Sequence, residues 1–399
     1  MTPEGLTLGT EFDRLQRNSL AAGIVALIVC VAGAFFNPQQ FFRSYLMAYL
    51  FWSGVTLGCF AMVMLHHMVG GGWGFIVRRL LEAGTKTIAL VAVMVVPILL
   101  GVTYLYLWTD PQAVAKSEAL LHKRIYLNSA AFVLRTIFYF LVWFLMAHYL
   151  NKWSAEQDES ADLSVIRRLQ TLSGPGLILY GFTVTFASVD WIMSLEPEFF
   201  STIYSAMFMM GQVLSCLALV IALAALLASR PQFSSLMAPK YLNDLGNILL
   251  TFLILWAYMQ FSQLLIVWTG NLTDEIPWYL RRTRGGWWVI AWAVVLFHFF
   301  VPLALLLSRQ IKRRIRWMAK FAVALLVVRL FEMFWMVDPA FDSAVRFHWM
   351  DWLLPVGLGG IWMAWFVRNL RRMPLFPLRD PRLEAAFVRI DQRRVGDVE

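Results

Sequence analysis

The sequence predicts an all-α protein that crosses a membrane many times. Hydrophobic residues make up 60% of the 399 positions and charged residues only 15%, well below the roughly 25% typical of soluble domains. Apolar runs of about 20 residues, the length that crosses a bilayer as a helix, recur along the whole chain. These runs are continuous, whereas a membrane β-barrel would show alternating segments of about ten residues. The predicted class is therefore a polytopic α-helical membrane protein.

Ten runs have the length and composition of membrane spans. They cover approximately residues 18–36, 43–68, 86–108, 126–150, 172–193, 199–228, 245–270, 286–308, 317–337 and 350–370. The fifth and sixth runs flank an acidic turn, Asp190–Glu198, which contains no Lys or Arg. The chain is thus divided into cytoplasmic tails at 1–17 and 371–399 and two five-span halves at 18–193 and 194–370.

The distribution of basic residues predicts the orientation of these spans. Lys and Arg are about three times as frequent on one side of the predicted membrane as on the other, and such residues collect on the cytoplasmic side. Both termini and the basic loop Arg309–Arg316 should therefore be cytoplasmic, and the acidic turn should face outward. The net charge of +9 is a signal of topology, so no nucleic-acid partner is expected.

Ionisable residues in the middle of spans eight and nine are functional candidates, because such groups are costly inside a membrane. Arg329 and Glu332 share a helix face and can pair. They either tie helices together or take part in proton movement. His298 lies at the midpoint of span eight, and Pro302 deprives its carbonyl of the usual helical N–H. This position suits either a hydrogen-bonded core histidine or a bound water.

Span seven carries polar residues on one helical face over most of its length. They are Asp244, Asn247, Thr251, Tyr258, Ser262 and Thr269. Two explanations remain open: hydrogen bonds that join helices, or a hydrated path for protons. In the second case Asp244 would mark its inner end, Asp190 its outer end, and His298 with the Arg329–Glu332 pair its middle.

Other polar residues near the spans have less specific roles. Arg135 in span four either reaches the interface with its long side chain or has a buried partner. Interhelix contacts are expected of His66, His67, Arg135 and Glu196. No C-x-x-C or C-x-x-C-H motif occurs, no two spans present facing mid-membrane histidines, and no metal-ligand cluster or nucleophile–base set is evident. We therefore expect this chain by itself to bind no haem, iron–sulfur cluster or other metal.

The acidic turn and its flanks resemble a known family. The segment Ser188–Pro197, followed by Ser201–Tyr204, resembles the central signature of the F-type membrane subunit of bacterial alternative complex III, a quinol:cytochrome c oxidoreductase. Four further motifs occur in the same family, at Leu65–His67, Tyr241–Asn247, Ile276–Arg282 and Asp380–Arg382. The chain is more distantly similar to NrfD-like, polysulfide-reductase-type membrane subunits.

The resemblance implies a specific setting for the chain. It implies two four-helix bundles with two peripheral helices, in the bacterial inner membrane. The implied partners are an NrfD-like paralogous membrane subunit, a periplasmic iron–sulfur subunit, c-type cytochromes and lipid. Quinol or menaquinol would bind in the paralogue, whereas this subunit would hold no cofactor and could conduct protons. Any quinone contact of this chain would be made by His66, His67, Arg135 or Glu196.

Two other classes of function remain possible on the sequence. A secondary transporter would also have intramembrane charges and internal repeats, with broken helices at corresponding positions of both halves. A stand-alone membrane enzyme would need a catalytic set that the sequence does not reveal. The leading hypothesis is a non-redox subunit of a quinol-oxidising complex.

Overall fold

The structure, a computed structural model, describes residues 9–160, 162–228 and 239–375. Every regular element within these ranges is a helix, and nine helical segments are long and apolar enough to cross a membrane. The prediction of an all-α, multi-pass membrane protein is confirmed. Residues 1–8 and 376–399, with part of the predicted N-terminal tail, most of the predicted C-terminal tail and the Asp380–Arg382 motif, lie outside the described ranges.

Within the described residues, the first half of the chain contains ten α-helices. They are α1 Thr10–Ala34, α2 Pro38–Val69, α3 Gly72–Thr85, α4 Ile88–Met94, α5 Val96–Leu100, α6 Val102–Leu105, α7 Pro111–Lys116, α8 Glu118–Lys123, α9 Ser129–Glu159 and α10 Leu163–Trp191. Helix α1 therefore begins inside the tail that the sequence predicted to end at residue 17.

In the described part of the second half there are eight α-helices and one π-helical segment. They are α11 Thr202–Ala228, α12 Pro239–Gly270, α13 Ile276–Thr283, α14 Trp287–Val294, the π-segment Val295–Phe300, α15 Val301–Leu307, α16 Arg309–Lys312, α17 Ile315–Val337 and α18 Trp349–Leu370. Helix α17 corresponds to the predicted ninth span and has 23 residues. Its charged residues exclude it from the nine strongly apolar segments, so a total of ten spans remains a prediction.

The third span is less regular than the single run 86–108 that the sequence predicts. Its apolar segment in the structure is Val77–Leu100, and the helix is interrupted at Val95 and again at Gly101. Pro97 lacks a backbone N–H and crowds the preceding turn, which explains a break just before it. The third span therefore begins earlier than predicted and consists of several short helices.

Helix α2 lies at the centre of the molecule. It contacts α3, α10, α11 and α18, and most of its side chains are buried. A Cβ atom on Gly58 would lie only 2.2 Å from the carbonyl oxygen of Gln212 on α11, so glycine permits the close approach of these two helices.

The helices pack in two groups, which the contact between α2 and α11 joins. Helices α2, α4, α9 and α10 contact one another in the first group, and α11, α12, α14, α15 and α17 do so in the second. Helix α1 packs along α18, so the first and last spans form a pair. The polar residues considered below lie inside or between these groups.

Candidate functional site

Glu332 is the centre of a buried polar cluster in the second group of helices. It pairs with Arg329 one turn earlier on α17, as the spacing predicts, and both side chains are almost fully buried. Two side chains of α12 also donate to its Oε1 atom, Trp256 Nε1 at 3.0 Å and Gln260 Nε2 at 3.2 Å. The carboxylate is therefore held from two helices.

The eighth span brings His298 to the same carboxylate. Its Nδ1 atom lies 3.2 Å from Oε2 of Glu332, and its ring packs edge-on against Trp256 with centroids 4.1 Å apart. His298 is completely buried, and neither ring nitrogen forms a hydrogen bond with the described residues, so the approach of Nδ1 to Glu332 is a close contact rather than an aligned hydrogen bond. It lies in the π-segment that ends just before Pro302, and such π-bulges are frequent at functional sites.

Helix α11 closes the cluster on the side of Arg329. Arg329 Nε donates to Ser215 Oγ at 3.2 Å. A Cβ atom on Gly211 would lie 2.3 Å from Arg329 Nη2, so only glycine leaves room for the guanidinium. Three spans thus surround one carboxylate with a guanidinium, an imidazole, an indole and an amide, and α11 packs against the guanidinium. A carboxylate in contact with an imidazole can exchange a proton with it.

A second buried ion pair lies in the first group of helices. Arg135 Nε and Nη2 donate to the two carboxylate oxygens of Asp190 at 2.9 and 2.8 Å, and Tyr139 donates at 2.8 Å. Arg135 also donates to the Tyr126 carbonyl at 2.9 Å. Of the two alternatives for Arg135, the structure shows the buried partner. These hydrogen bonds favour a structural role for Asp190.

The polar stripe of span seven lies on the outer face of α12. Asn247, Thr251 and Thr269 are exposed, and Tyr258 is 63% exposed. Thr251 and Thr269 donate to carbonyls of their own helix. The predicted water-filled line along this stripe would therefore run outside the described helices rather than through their interior.

Two other members of the stripe are less exposed. Asp244 and Ser262 are partly buried. Lys312 on α16 donates to Asn247 Oδ1 at 2.5 Å. Burial lowers the pKa of the Lys312 amine, and the charge of Arg309 acts in the same direction. The contact joins the inner end of α12 to the basic loop.

Glu196 in the acidic turn also has basic partners. Its carboxylate lies 2.7 Å from Arg282 Nη1 and 3.1 Å from Arg281 Nη1. These arginines come from α13, in a loop that the sequence predicts on the same side of the membrane. The opposite charges of the two outer segments could have indicated this contact, but it was not predicted from the sequence.

His66 and His67 end α2 and are buried. The His66 ring packs edge-on against Trp73 at 5.1 Å, and a Cβ atom on Gly74 would lie 2.0 Å from the His66 ring. His67 Nδ1 lies 3.3 Å from Ser173 Oγ on α10. Both histidines therefore make interhelix contacts, one of the two roles considered for them.

A buried charged cluster at the junction of α3 and α9 was not predicted from the sequence. Arg78 Nε and Arg79 Nη1 donate to Glu82 at 2.8 and 2.6 Å, and Ser154 also donates to Glu82 at 2.6 Å. Arg79 pairs in addition with Asp158. The spacing of Arg78, Arg79 and Glu82 could have revealed it, but these residues lie between the second and third predicted spans and were not considered as candidates.

No protein-family model matches this chain, and no curated protein matches it either. Within residues 9–160, 162–228 and 239–375, no group of three or more His, Cys, Asp or Glu side chains is arranged to hold a metal ion. The function of this chain is therefore inferred from the polar clusters and from the sequence motifs.

Proposed function

We propose that this chain is an integral membrane subunit of a bacterial quinol:cytochrome c (or other electron acceptor) oxidoreductase of the alternative complex III type. It would lie beside an NrfD-like paralogue that binds quinol or menaquinol, with an iron–sulfur subunit and c-type cytochromes on the periplasmic side. The sequence motifs support this assignment. The two groups of helices and the α1–α18 pair are compatible with the two bundles and two peripheral helices of that family.

The observation that carries a proton-conducting role is the contact between His298 and Glu332. Both side chains are buried inside the helices, and 3.2 Å separates the imidazole Nδ1 from a carboxylate oxygen. A proton arriving at the imidazole could pass from Nδ1 to Glu332 Oε2. Arg329 would keep the carboxylate in place between transfers, because it pairs with the same oxygen.

The ends of this route depend on residues with different surroundings. Asp244 is partly exposed near the inner end of α12 and is the proposed inner residue. Asp190, the outer residue expected from the sequence, is held by Arg135 and Tyr139. The route is therefore supported best at its middle.

Glu332→Gln in the assembled complex tests this role. Glutamine keeps the shape and an acceptor for Trp256 but no longer accepts a proton, so fewer protons should move per electron while quinol oxidation changes by no more than about twofold. Proton movement is measured in sealed vesicles during quinol oxidation. Glu198→Gln is the matched control, because Glu198 is exposed in the outer turn. Unchanged stoichiometry in an assembled Glu332→Gln complex would exclude a route through this carboxylate.

The proposed location is the bacterial inner membrane, with both termini in the cytoplasm. Cysteine labelling from the periplasmic side should reach Glu198→Cys but not Arg313→Cys, since both positions are exposed and lie in opposite loops. The native cysteines Cys30, Cys59 and Cys216 are buried and give a low background. Labelling of Arg313→Cys but not of Glu198→Cys would show that the orientation is the opposite of the proposed one.

A secondary transporter is the second candidate, and one structural feature favours it. The third span of each half departs from a regular α-helix, at Val95 and Gly101 in the first and in the π-segment Val295–Phe300 in the second. Interrupted helices at corresponding positions are typical of transporter binding sites. Co-migration with cytochromes on a native gel would favour the oxidoreductase subunit, and ion-coupled uptake by the chain alone would favour the transporter.

A further inference from the structure

A cavity of about 650 Å³ lies between α12, α13, α14 and the π-segment. Its walls are mainly apolar, and several of its lining side chains are strongly exposed at the outer surface of the helices. They include Tyr258, Phe261, Trp292 and Phe300. Because these faces belong to apolar spans, the cavity opens sideways toward the hydrocarbon of the bilayer. Its volume is in the range of sites for small organic ligands, which is about 300–1,000 Å³.

Two hydrogen-bond donors in the lining are buried and unused. Arg282 Nε and Trp335 Nε1 have no hydrogen-bond partner among the described residues. The other nitrogens of Arg282 are engaged, because Nη1 donates to the Trp278 carbonyl at 2.9 Å and Nη2 to the Met336 carbonyl at 2.8 Å. The Arg282 side chain is 1% exposed. Buried donors without an acceptor are rare in proteins, and each calls for a ligand, a water or another explanation.

The charge around Arg282 defines the kind of acceptor. Glu196 lies 2.7 Å from Arg282 Nη1, so the guanidinium charge already has a counter-ion. A second anion is therefore not required, and a neutral oxygen acceptor such as a carbonyl satisfies the free donors. The apolar walls suit an alkyl, acyl or isoprenoid chain.

We propose that this cavity binds a neutral membrane amphiphile, with a carbonyl oxygen directed to Arg282 and Trp335 and its apolar chain between α12 and α14. The ligand would come laterally from the bilayer. Two sources offer this chemistry, the ring carbonyl of a quinone and the ester carbonyl of a neutral glycerolipid. The site is separate from the His298–Glu332 contact and does not depend on proton conduction, although Trp256 and Gln260 border both.

Ligand binding is measured with the full-length chain in detergent micelles. A decyl-substituted benzoquinone and a dioctanoylglycerol are titrated separately, and the rise in unfolding temperature gives the affinity because ligands that bind the folded state stabilise it. At least one of the two probes should bind. Ala257→Phe places a ring in the cavity and should weaken binding at least tenfold. Val289→Phe is the matched control, because Val289 is exposed on α14, one of the helices around the cavity, and does not itself line the cavity.

A second pair of variants tests the donors without filling the space. Trp335→Phe removes one N–H and should weaken binding about fivefold, roughly the effect of losing one hydrogen bond. Trp288→Phe on the exposed surface should bind like wild type. Asp244→Asn, at the proposed inner end of the proton route and outside the lining of the cavity, should also retain binding, which distinguishes a failure of this proposal from a failure of proton conduction. Binding by neither probe, or wild-type affinity in both Ala257→Phe and Trp335→Phe, would overturn the proposal.

Discussion

The two groups of helices each contain a buried carboxylate paired with an arginine, but the pairs differ in their remaining partners. Asp190 receives two hydrogen bonds from Arg135 and one from Tyr139. Glu332 receives hydrogen bonds from Arg329, Trp256 and Gln260, and in addition it faces His298. The first carboxylate has only fixed donors, whereas the second has a neighbour that can take up or release a proton.

This difference separates a structural pair from a candidate for proton transfer. Intramembrane charges are functional candidates in general, yet a carboxylate held by a bidentate arginine and a phenol has no evident acceptor or donor of protons beside it. His298 provides one for Glu332, and its Nε2 lacks a partner among the described residues. The presence of an imidazole, rather than of a charge pair, is therefore the informative feature.

Among variants of the first group of helices, Asp190→Asn should have the largest effect on stability. Breaking a buried ion pair leaves the arginine without its counter-ion, and the free energy of unfolding should fall by about 3–5 kcal/mol. Reversible unfolding of the purified chain in mixed micelles measures it, with Glu198→Gln as the control. The double variant Arg135→Met, Asp190→Leu should recover much of the loss, because both charges are removed. A stable Asp190→Asn protein would contradict the structural role.

Tyr139→Phe and His298→Gln should have intermediate but different effects. Tyr139→Phe removes a hydrogen bond to a carboxylate, which lowers the free energy of unfolding by about 1.5–3 kcal/mol, and proton stoichiometry should stay unchanged. His298→Gln should lower the number of protons moved per electron in an assembled complex. The measurements are unfolding of the chain and proton movement in vesicles. Identical proton stoichiometry in both variants would remove the distinction between the two clusters.

Thr251→Val should have the smallest effect. Thr251 is exposed on α12, and its hydroxyl donates to a carbonyl of its own helix. The free energy of unfolding should therefore change by no more than about 0.5 kcal/mol, with proton stoichiometry unchanged. If stoichiometry fell instead, the proton route would follow the outer face of α12, against a partner subunit, rather than the interior beside Glu332.

Contacts within one helix were predictable from spacing, whereas contacts between helices were not. Arg329 and Glu332 are three residues apart, so helical geometry alone places them on one face. Arg135 and Asp190 are 55 residues apart, and Arg281 and Glu196 are 85 apart. Only the packing of α9 on α10 and of α13 on the outer turn brings these partners together.

The sequence by itself determined the class of the protein, because long apolar runs and scarce charge are compatible with helices in lipid and with little else. It also determined which polar residues are unusual at membrane depth. The tertiary structure decided which of them meet. In the structure, most of the polar stripe of α12 is exposed on the outer face of the helix. Trp256 and Gln260 on the same helix donate hydrogen bonds to Glu332. Periodicity shows that residues share a helix face, but the neighbouring helices decide whether that face is buried or exposed.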